Sequence, residues 1–437
     1  MSEHDQHDAC GCDEYAALSR RRFVTNVAGA AVFGAAFPDW LPRVVLAPAA
    51  SSRDIVVYIF MRGGADGLSL CVPWGDANYY TGRPTIAIPR PDATGTAKAT
   101  ALDTSLWGFP PGMLGLLPSY QAGQLLVIPG AGLSYNSRSH FDAQRFIEVG
   151  KAADPSVSTG WLGRHIATVP PLSSSATLRA MSISQGLPNA LEGAPKVLPI
   201  PDPANYVLSG SATTRAARQA WLNADYANTE EPVRSSALDA AATLTLLASL
   251  NISTYAPSNG AAYPTSGFGR SLRSAAALIK ADVGVEAIQV DIGGWDTHQT
   301  QGPLTGQMNT LMTDFSNSIG AFWADVLQGN GTYNVTLVAM SEFGRNVREN
   351  GSQGTDHGRG SCMFVMGKQI AGGRVFTKNW QPLARENLTD GQDVPVNVDH
   401  RDVLAEIVQN RLANTNLSLI FPGYTPTFQG VTRSAVR

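Results

Sequence analysis

Asp54–Met61 reads DIVVYIFM, and Arg62–Gly67 continues it as RGGADG. The first segment is an unbroken apolar and aromatic run rich in β-branched residues. The second is a polar, glycine-rich turn. A run of that length without polar alternation is the pattern of a strand buried on both faces, as in a parallel sheet. Four more runs of this kind follow: Gln124–Pro129 (QLLVIP), Glu286–Asp291 (EAIQVD), Val335–Met340 (VTLVAM) and Cys362–Met366 (CMFVM). Helical patterns lie between some of them. Leu304, Met308, Leu311, Phe315, Ile319, Phe322 and Val326 recur at steps of three and four, one apolar stripe along a helix. Phe268–Ala281 reads as a second helix. Val403, Leu404, Ile407, Val408 and Leu412 mark a third, with Asp399 or Asp402 placed near its start. Strands alternating with helices predict an α/β fold with three layers, α/β/α, around a mostly parallel central sheet.

Residues from about 151 to 284 break that rhythm. Pro, Gly and Ser are frequent there, with Ala-rich helical runs near Thr213–Tyr226 and Ser235–Leu250. The stretch reads as a long insertion between two sheet strands, within one domain that covers residues 50–437.

The chain has 437 residues, enough for a large core. Its net charge of −3 leaves no basic footprint for nucleic acid or for an anionic membrane surface. The N-terminus points to export. Ser19-Arg20-Arg21-Arg22-Phe23-Val24 carries paired arginines before an aromatic residue, a weakly apolar run extends to Phe37, and Ala47-Pro48-Ala49 supplies small residues for a signal peptidase. Residues 1–49 are therefore expected to be a twin-arginine signal. The translocon of that pathway would be a transient partner, and the folded chain would work in the periplasm or outside the cell. No later stretch reads as a transmembrane helix. Cys10 and Cys12 would leave with the signal. Cys71 and Cys362 sit beside apolar runs and read as buried free thiols.

Polar clusters follow the strand runs. They are Arg62-Gly63-Gly64-Ala65-Asp66-Gly67, Asn136-Ser137-Arg138-Ser139-His140, Gly293-Gly294-Trp295-Asp296-Thr297-His298 and Ser341-Glu342-Phe343-Gly344-Arg345. A fifth, Gly354-Thr355-Asp356-His357-Gly358, precedes the last strand run and would reach the same edge if its loop folds back. Ligands bind beyond the carboxyl ends of strands in an open parallel sheet, so these clusters should converge. Asp, Glu and neutral His are ligands for divalent ions. Asp296 and His298 share one face of an extended segment, whereas adjacent Asp356 and His357 point to opposite sides and could serve two ions. A serine near a helix start can be a nucleophile, and an arginine can hold an anion. His165 reads as structural and His400 as a candidate for a last ligand.

Taken together, the arginine-rich signal, GGADGL, SRSHFDAQ, GGWDTH with SEFGR, and GTDHG resemble the bacterial domain-of-unknown-function family 1501. That family is grouped with the alkaline phosphatase-like superfamily, which includes sulfatases. The resemblance implies one or two divalent ions (Zn, Mn, Mg or Ca) held by Asp66, Asp296, His298, Asp356 and His357, with Glu342 as a ligand or a support. Ser137 and Ser139 occupy the nucleophile's zone, Ser139 being favoured. His140 accompanies it, and Arg138 or Arg345 would hold the anion. The implied activity is hydrolysis or transfer of a phosphate or sulfate ester, on a small or polymeric anionic substrate. The chain lacks a Cys-x-Pro-Ser-Arg segment, which argues against a formylglycine-type sulfatase. A non-catalytic exported binding protein on the same fold is the competing expectation.

Overall fold

The computed structural model describes residues 53–329 and 333–433. The segment read as an export signal lies outside the described residues. Strands, in chain order, are β1 (Ile55–Met61), β2 (Thr100–Ala101), β3 (Gly108–Phe109), β4 (Leu125–Gly132), β5 (Ala180–Ile183), β6 (Val197–Pro199), β7 (Ala287–Ile292), β8 (Val335–Ser341), β9 (Ser361–Met366), β10 (Arg374–Val375) and β11 (Val398–Asp399). β2 and β3 form a separate antiparallel pair. The others build one nine-stranded sheet in the order β10-β4-β9-β8-β1-β7-β5-β6, with β11 also on β4.

The sheet is mostly parallel. β1 pairs in parallel with both β7 and β8, from Ile55 opposite Val335 to Met61 opposite Ser341. β9 is the exception, antiparallel to β4 and β8. Its inversion has a consequence for function. The N-terminal end of β9 meets the C-terminal ends of β4, β8, β1 and β7, so the loop before β9 arrives at their edge directly. No folding back of that loop is needed.

Alternation along β1 sets the layers. Val57, Ile59 and Met61 pack into one core with Leu272 and Ile279 of the helix Gly267–Lys280 and with Met308 and Phe315 of the helix Gln307–Phe322. Val56, Tyr58 and Phe60 pack into the other core with Ile147, Trp161, Val403 and Ile407, from helices on the opposite side. The result is a three-layer α/β/α arrangement with a mostly parallel sheet at its centre. All of these side chains are almost entirely buried, and each contributes roughly 1.5–3 kcal/mol of apolar burial.

Two departures from the sequence reading concern residues 151–284. The stretch supplies β5 and β6, which extend the sheet past β7. Strands of four and three residues are too short to show as apolar runs. It also holds a helical pair, Arg215–Ala227 and Val233–Leu250. The second, extended to Thr254, is long and apolar enough by length and composition to cross a membrane, with a mean hydropathy of 1.2. No helix of that length and apolarity is expected from the sequence.

Candidate metal centre

Each residue of the centre is delivered by a loop at one rim of the sheet. β7 ends at Ile292, and Gly293-Gly294 turns the chain, Gly294 with φ +93°. Buried Trp295 then anchors the loop, its indole N–H donating to Ile292 O at 3.0 Å. Asp296 follows and is thrown outward over the rim. β8, separated from β7 by β1, ends at Ser341, and Glu342 and Arg345 leave from it. Beyond β4, Ser139 caps the helix His140–Val149 and sets His140 at its first position. His357 stands in the loop before β9, bridged by its backbone to Arg345.

The glycines of the GGADG turn make this packing possible. A Cβ on Gly63 (φ +120°) would lie 2.7 Å from Asp296 N, and one on Gly64 (φ +65°) 2.5 Å from the Phe343 ring. Only glycine adopts those angles at that proximity without strain. Arg345 ties the loops together. Fully buried, it donates from Nε to Gly64 O at 2.5 Å, from Nη1 to Thr355 O at 2.8 Å, and from Nη2 to Trp295 O at 3.1 Å and Asp296 Oδ1 at 2.7 Å.

Three imidazoles surround Asp296. His298 Nε2 lies 3.0 Å and His357 Nε2 3.1 Å from Asp296 Oδ1, and these two nitrogens are 3.0 Å apart. His140 Nε2 stands 3.5 Å from Asp296 Oδ2. That nitrogen is buried and makes no hydrogen bond. Donor atoms from His140, Asp296 and His357 all lie within 4.8 Å of one another, close enough to hold a metal ion. Ligands about 2.0–2.1 Å from a tetrahedral ion sit roughly 3.3 Å from each other, so the separations in this group suit a shared ion.

Behind each imidazole, an oxygen fixes the opposite ring nitrogen. Glu342 Oε1 is 2.8 Å from His140 Nδ1, Asp356 Oδ1 is 3.0 Å from His298 Nδ1, and the Arg138 carbonyl is 2.9 Å from His357 Nδ1. A metal-binding histidine needs such a partner, because it fixes the tautomer and aims the free nitrogen at the ion.

The electrostatics follow from these contacts. Burial opposes ionisation of Asp296, but the three histidines beside it and the Arg345 charge hold its carboxyl far below the usual range. Burial disfavours a charged His140, yet the carboxylates of Asp296 and Glu342 beside it raise its pKa to about 9. Glu342 is fully buried, and the opposing effect of His140 and the Gln144 amide still brings it down to about 2. His298 is raised, chiefly by its hydrogen bond to Asp296. His357 is lowered, chiefly by burial.

Other residues expected at the site are placed differently. Asp66 is fully buried and spends both oxygens on Arg83, at 2.5 and 2.9 Å, with Gln301 Nε2 and Ser69 Oγ completing its shell. Both of its oxygens are engaged within the fold, and it stands outside the group formed by His140, Asp296 and His357. Gln301 Oε1 in turn accepts from Thr297 and Thr355, which neighbour Asp296 and Asp356. Asp66 therefore buttresses the loops that carry the ligands. Glu342 is likewise support: it accepts from Gly63 N, His140, Gln144 and Ser341. Asp356 holds His298 from behind and stays largely exposed. Asp356 and His357 both meet His298, Asp356 Oδ1 at its Nδ1 and His357 Nε2 at its Nε2.

Ser139 Oγ accepts from Asp142 N as a helix cap, and neighbouring Ser137 Oγ accepts from Ser139 N. Every nitrogen of the Arg345 guanidinium is engaged in the fold, so it is not available to an anion. Arg138 Nη2 is paired with Asp393 at 2.6 Å. His400 is buried with Nδ1 on Gly132 O, and it is not part of the group. His165 is packed beside Asn414, burial pushing its pKa down to about 3. Cys71 and Cys362 are buried free thiols.

The sequence profile of the family described as "Protein of unknown function (DUF1501)" matches residues 129–415, more than half of the chain. The chain belongs to the DUF1501 family. No curated protein matches it. The DUF1501 match takes in His140, Asp296, His298 and His357 together with Glu342, Asp356 and Arg138, while Asp66 and β1 precede it. Within it, the sequence reading missed Gln144, although the signal was present: Gln144 follows His140 by one helical turn, at i+4.

Proposed function

We propose that the chain is an exported, metal-dependent hydrolase with a single divalent ion. The convergence of three Nε2 atoms on the Asp296 carboxylate, each imidazole held by an oxygen at Nδ1, carries this reading. His140, His298, His357 and Asp296 would be the ligands. A set of three imidazoles and one carboxylate suits Zn²⁺ or Mn²⁺ better than Mg²⁺ or Ca²⁺, which prefer oxygen. An ion bound there supplies Lewis acidity and lowers the pKa of a water toward neutrality. Glu342, Asp356 and the Arg138 carbonyl keep the imidazoles aimed. Arg345 keeps Asp296 ionised and positioned. The ligand side chains are about a quarter exposed, His298 somewhat more, so a substrate reaches the centre from solvent. Phosphate or sulfate esters are the substrates to try, and the arginine-rich N-terminus supports work outside the cytoplasm.

A binding protein on the same scaffold is a second reading, favoured by Ser139 acting as a helix cap and by the full engagement of Arg345. The test is to purify the chain, measure bound metal, and assay phosphate monoesters, phosphate diesters and sulfate esters with and without His357→Ala. Stoichiometric metal with turnover that the variant abolishes supports the hydrolase. Metal without turnover gives the binding protein. A preparation that takes up no metal removes both roles for the centre.

A further inference from the structure

We infer that Gln144 is a positioning residue of the centre: it locks the Glu342 carboxylate onto His140 Nδ1 and so keeps His140 Nε2 turned toward Asp296. Its functional consequence rests on the metal reading above, but the geometry is its own. Gln144 is almost fully buried. Its amide nitrogen donates to Glu342 Oε1 at 2.9 Å, and its amide oxygen accepts from Arg62 Nη1 at 2.9 Å. An amide suits this place in one orientation only. Turned over, it would set an oxygen against a carboxylate and an N–H against a guanidinium. Arg62 is itself pinned, Nε donating to Asp291 at 2.6 Å and Nη2 to Glu148 at 2.7 Å. Gln289 Nε2 holds the same Glu148 oxygen at 3.1 Å.

One helix face carries this chain of contacts. His140, Gln144 and Glu148 are spaced i, i+4, i+8 on His140–Val149, so one stripe holds the ligand, its positioning amide and the anchor of the arginine behind it. Glu342 Oε1 accepts at once from Gly63 N, His140 and Gln144. Without the Gln144 donor, it has less to resist rotation away from His140.

The test uses Gln144→Met, which keeps the side chain's bulk and removes both hydrogen bonds, alone and together with Glu342→Gln. Co²⁺ is titrated into the metal-free full chain and followed by its visible absorption. Gln144→Met should fold as the parent does and weaken Co²⁺ binding by roughly tenfold or more, the usual cost of losing an outer partner of a ligand. In the Glu342→Gln background it should add less than about twofold, since the carboxylate it acts through is gone. Equal losses in the two backgrounds, or no loss in the first, overturn the inference. Should the parent take up no Co²⁺, the metal reading fails by itself. The inference is then decided by the His140 Nδ1–H resonance of the metal-free protein, assigned from its absence in His140→Ala. Loss or a clear shift in Gln144→Met supports it, and an unchanged signal overturns it.

Discussion

His298 Nε2 and His357 Nε2 lie 3.0 Å apart with Asp296 Oδ1 close to both. Two neutral imidazoles can share one proton across such a gap, but the Nδ1 atoms of both rings already face acceptor oxygens, from Asp356 and Arg138. With the Nδ1 protons committed, the neutral rings present two lone pairs to one spot. A proton or a metal ion between them reconciles the two, with Arg345 Nη1 a further donor 3.5 Å from His298 Nε2.

Metal uptake should respect the division between ligands and supports. One ion per chain is expected. Asp296→Ala, His140→Ala and His357→Ala should each abolish tight binding, since each removes a donor. Asp356→Asn should weaken binding by about tenfold, because His298 loses its orienting charge and not its nitrogen. Metal analysis after dialysis, with competition against a coloured chelator, measures both. A second ion per chain would contradict the single-centre geometry.

Zn²⁺ affinity should climb with pH. His140 has its pKa raised from 6.5 to about 9, so at neutral pH the metal-free protein holds a proton that the ion must displace. Apparent affinity then rises by roughly tenfold per pH unit for one displaced proton, and flattens above about pH 9. Stability of the metal-free fold runs the other way. The contacts that raise His140 stabilise the fold fully below pH 6.5 and are lost as pH climbs through about 9. Glu342, lowered from 4.5 to about 2, adds stability present above pH 4.5 and lost as pH falls through about 2. Calorimetric titration and thermal melts across this range test the three slopes.

Asp66→Ala should be a stability variant. It strands the Arg83 guanidinium, which has no exposed surface, without its counter-charge. Breaking a buried pair in this way costs roughly 3–5 kcal/mol. The denaturation midpoint should fall sharply. In preparations that stay folded, the ion should remain bound, because no ligand atom is lost. Metal lost from a folded Asp66→Ala protein would restore Asp66 as a ligand.

Asp66 also shows where the sequence stops being legible. Apolar runs located β1, β4, β7, β8 and β9 within a residue or two at most ends, because burial on both faces leaves an unmistakable pattern. Polar clusters after the strands, and one before β9, led to His140, Asp296, His298 and His357, because such loops converge at one rim of the sheet. Residue type alone could not separate a ligand from a support. Asp66 and Asp296 both follow glycine-containing turns after strands. They differ in that Arg83, seventeen positions away, folds onto the first, and nothing in the local pattern announces that arginine. The role of Asp356 is hidden for the same reason, and Glu342 stays open in the sequence as a ligand or a support. A carboxylate that orients a histidine and one that binds an ion are identical in sequence. The antiparallel direction of β9 was likewise invisible, since a doubly buried strand reads the same either way.

Ser139→Ala should separate a cap from a nucleophile. The Ser139 hydroxyl accepts from Asp142 N at the start of the His140 helix, and losing such a cap costs about 1 kcal/mol. Esterase turnover, if found, should survive within a few fold. A loss of several orders of magnitude with unchanged metal content would return Ser139 to the chemistry.

Gly63→Ala should damage the centre without touching a ligand. The added Cβ would fall 2.7 Å from Asp296 N and 3.0 Å from Trp295 N, backbone atoms that cannot swing aside, and φ at this position is +120°. The methyl group must push the β7 loop outward, carrying Asp296 away from His140 and His357, which stand on other elements. Strain of this kind costs on the order of 1–3 kcal/mol. A displacement of even half an ångström spoils a metal geometry built to about that tolerance. Gly293→Ala is the control, since its Cβ meets nothing within 4 Å on the same loop. Metal affinity should fall at least tenfold for Gly63→Ala and hold for Gly293→Ala. Equal affinities in the two variants would mean that the loop's placement does not depend on the close approach of Gly63.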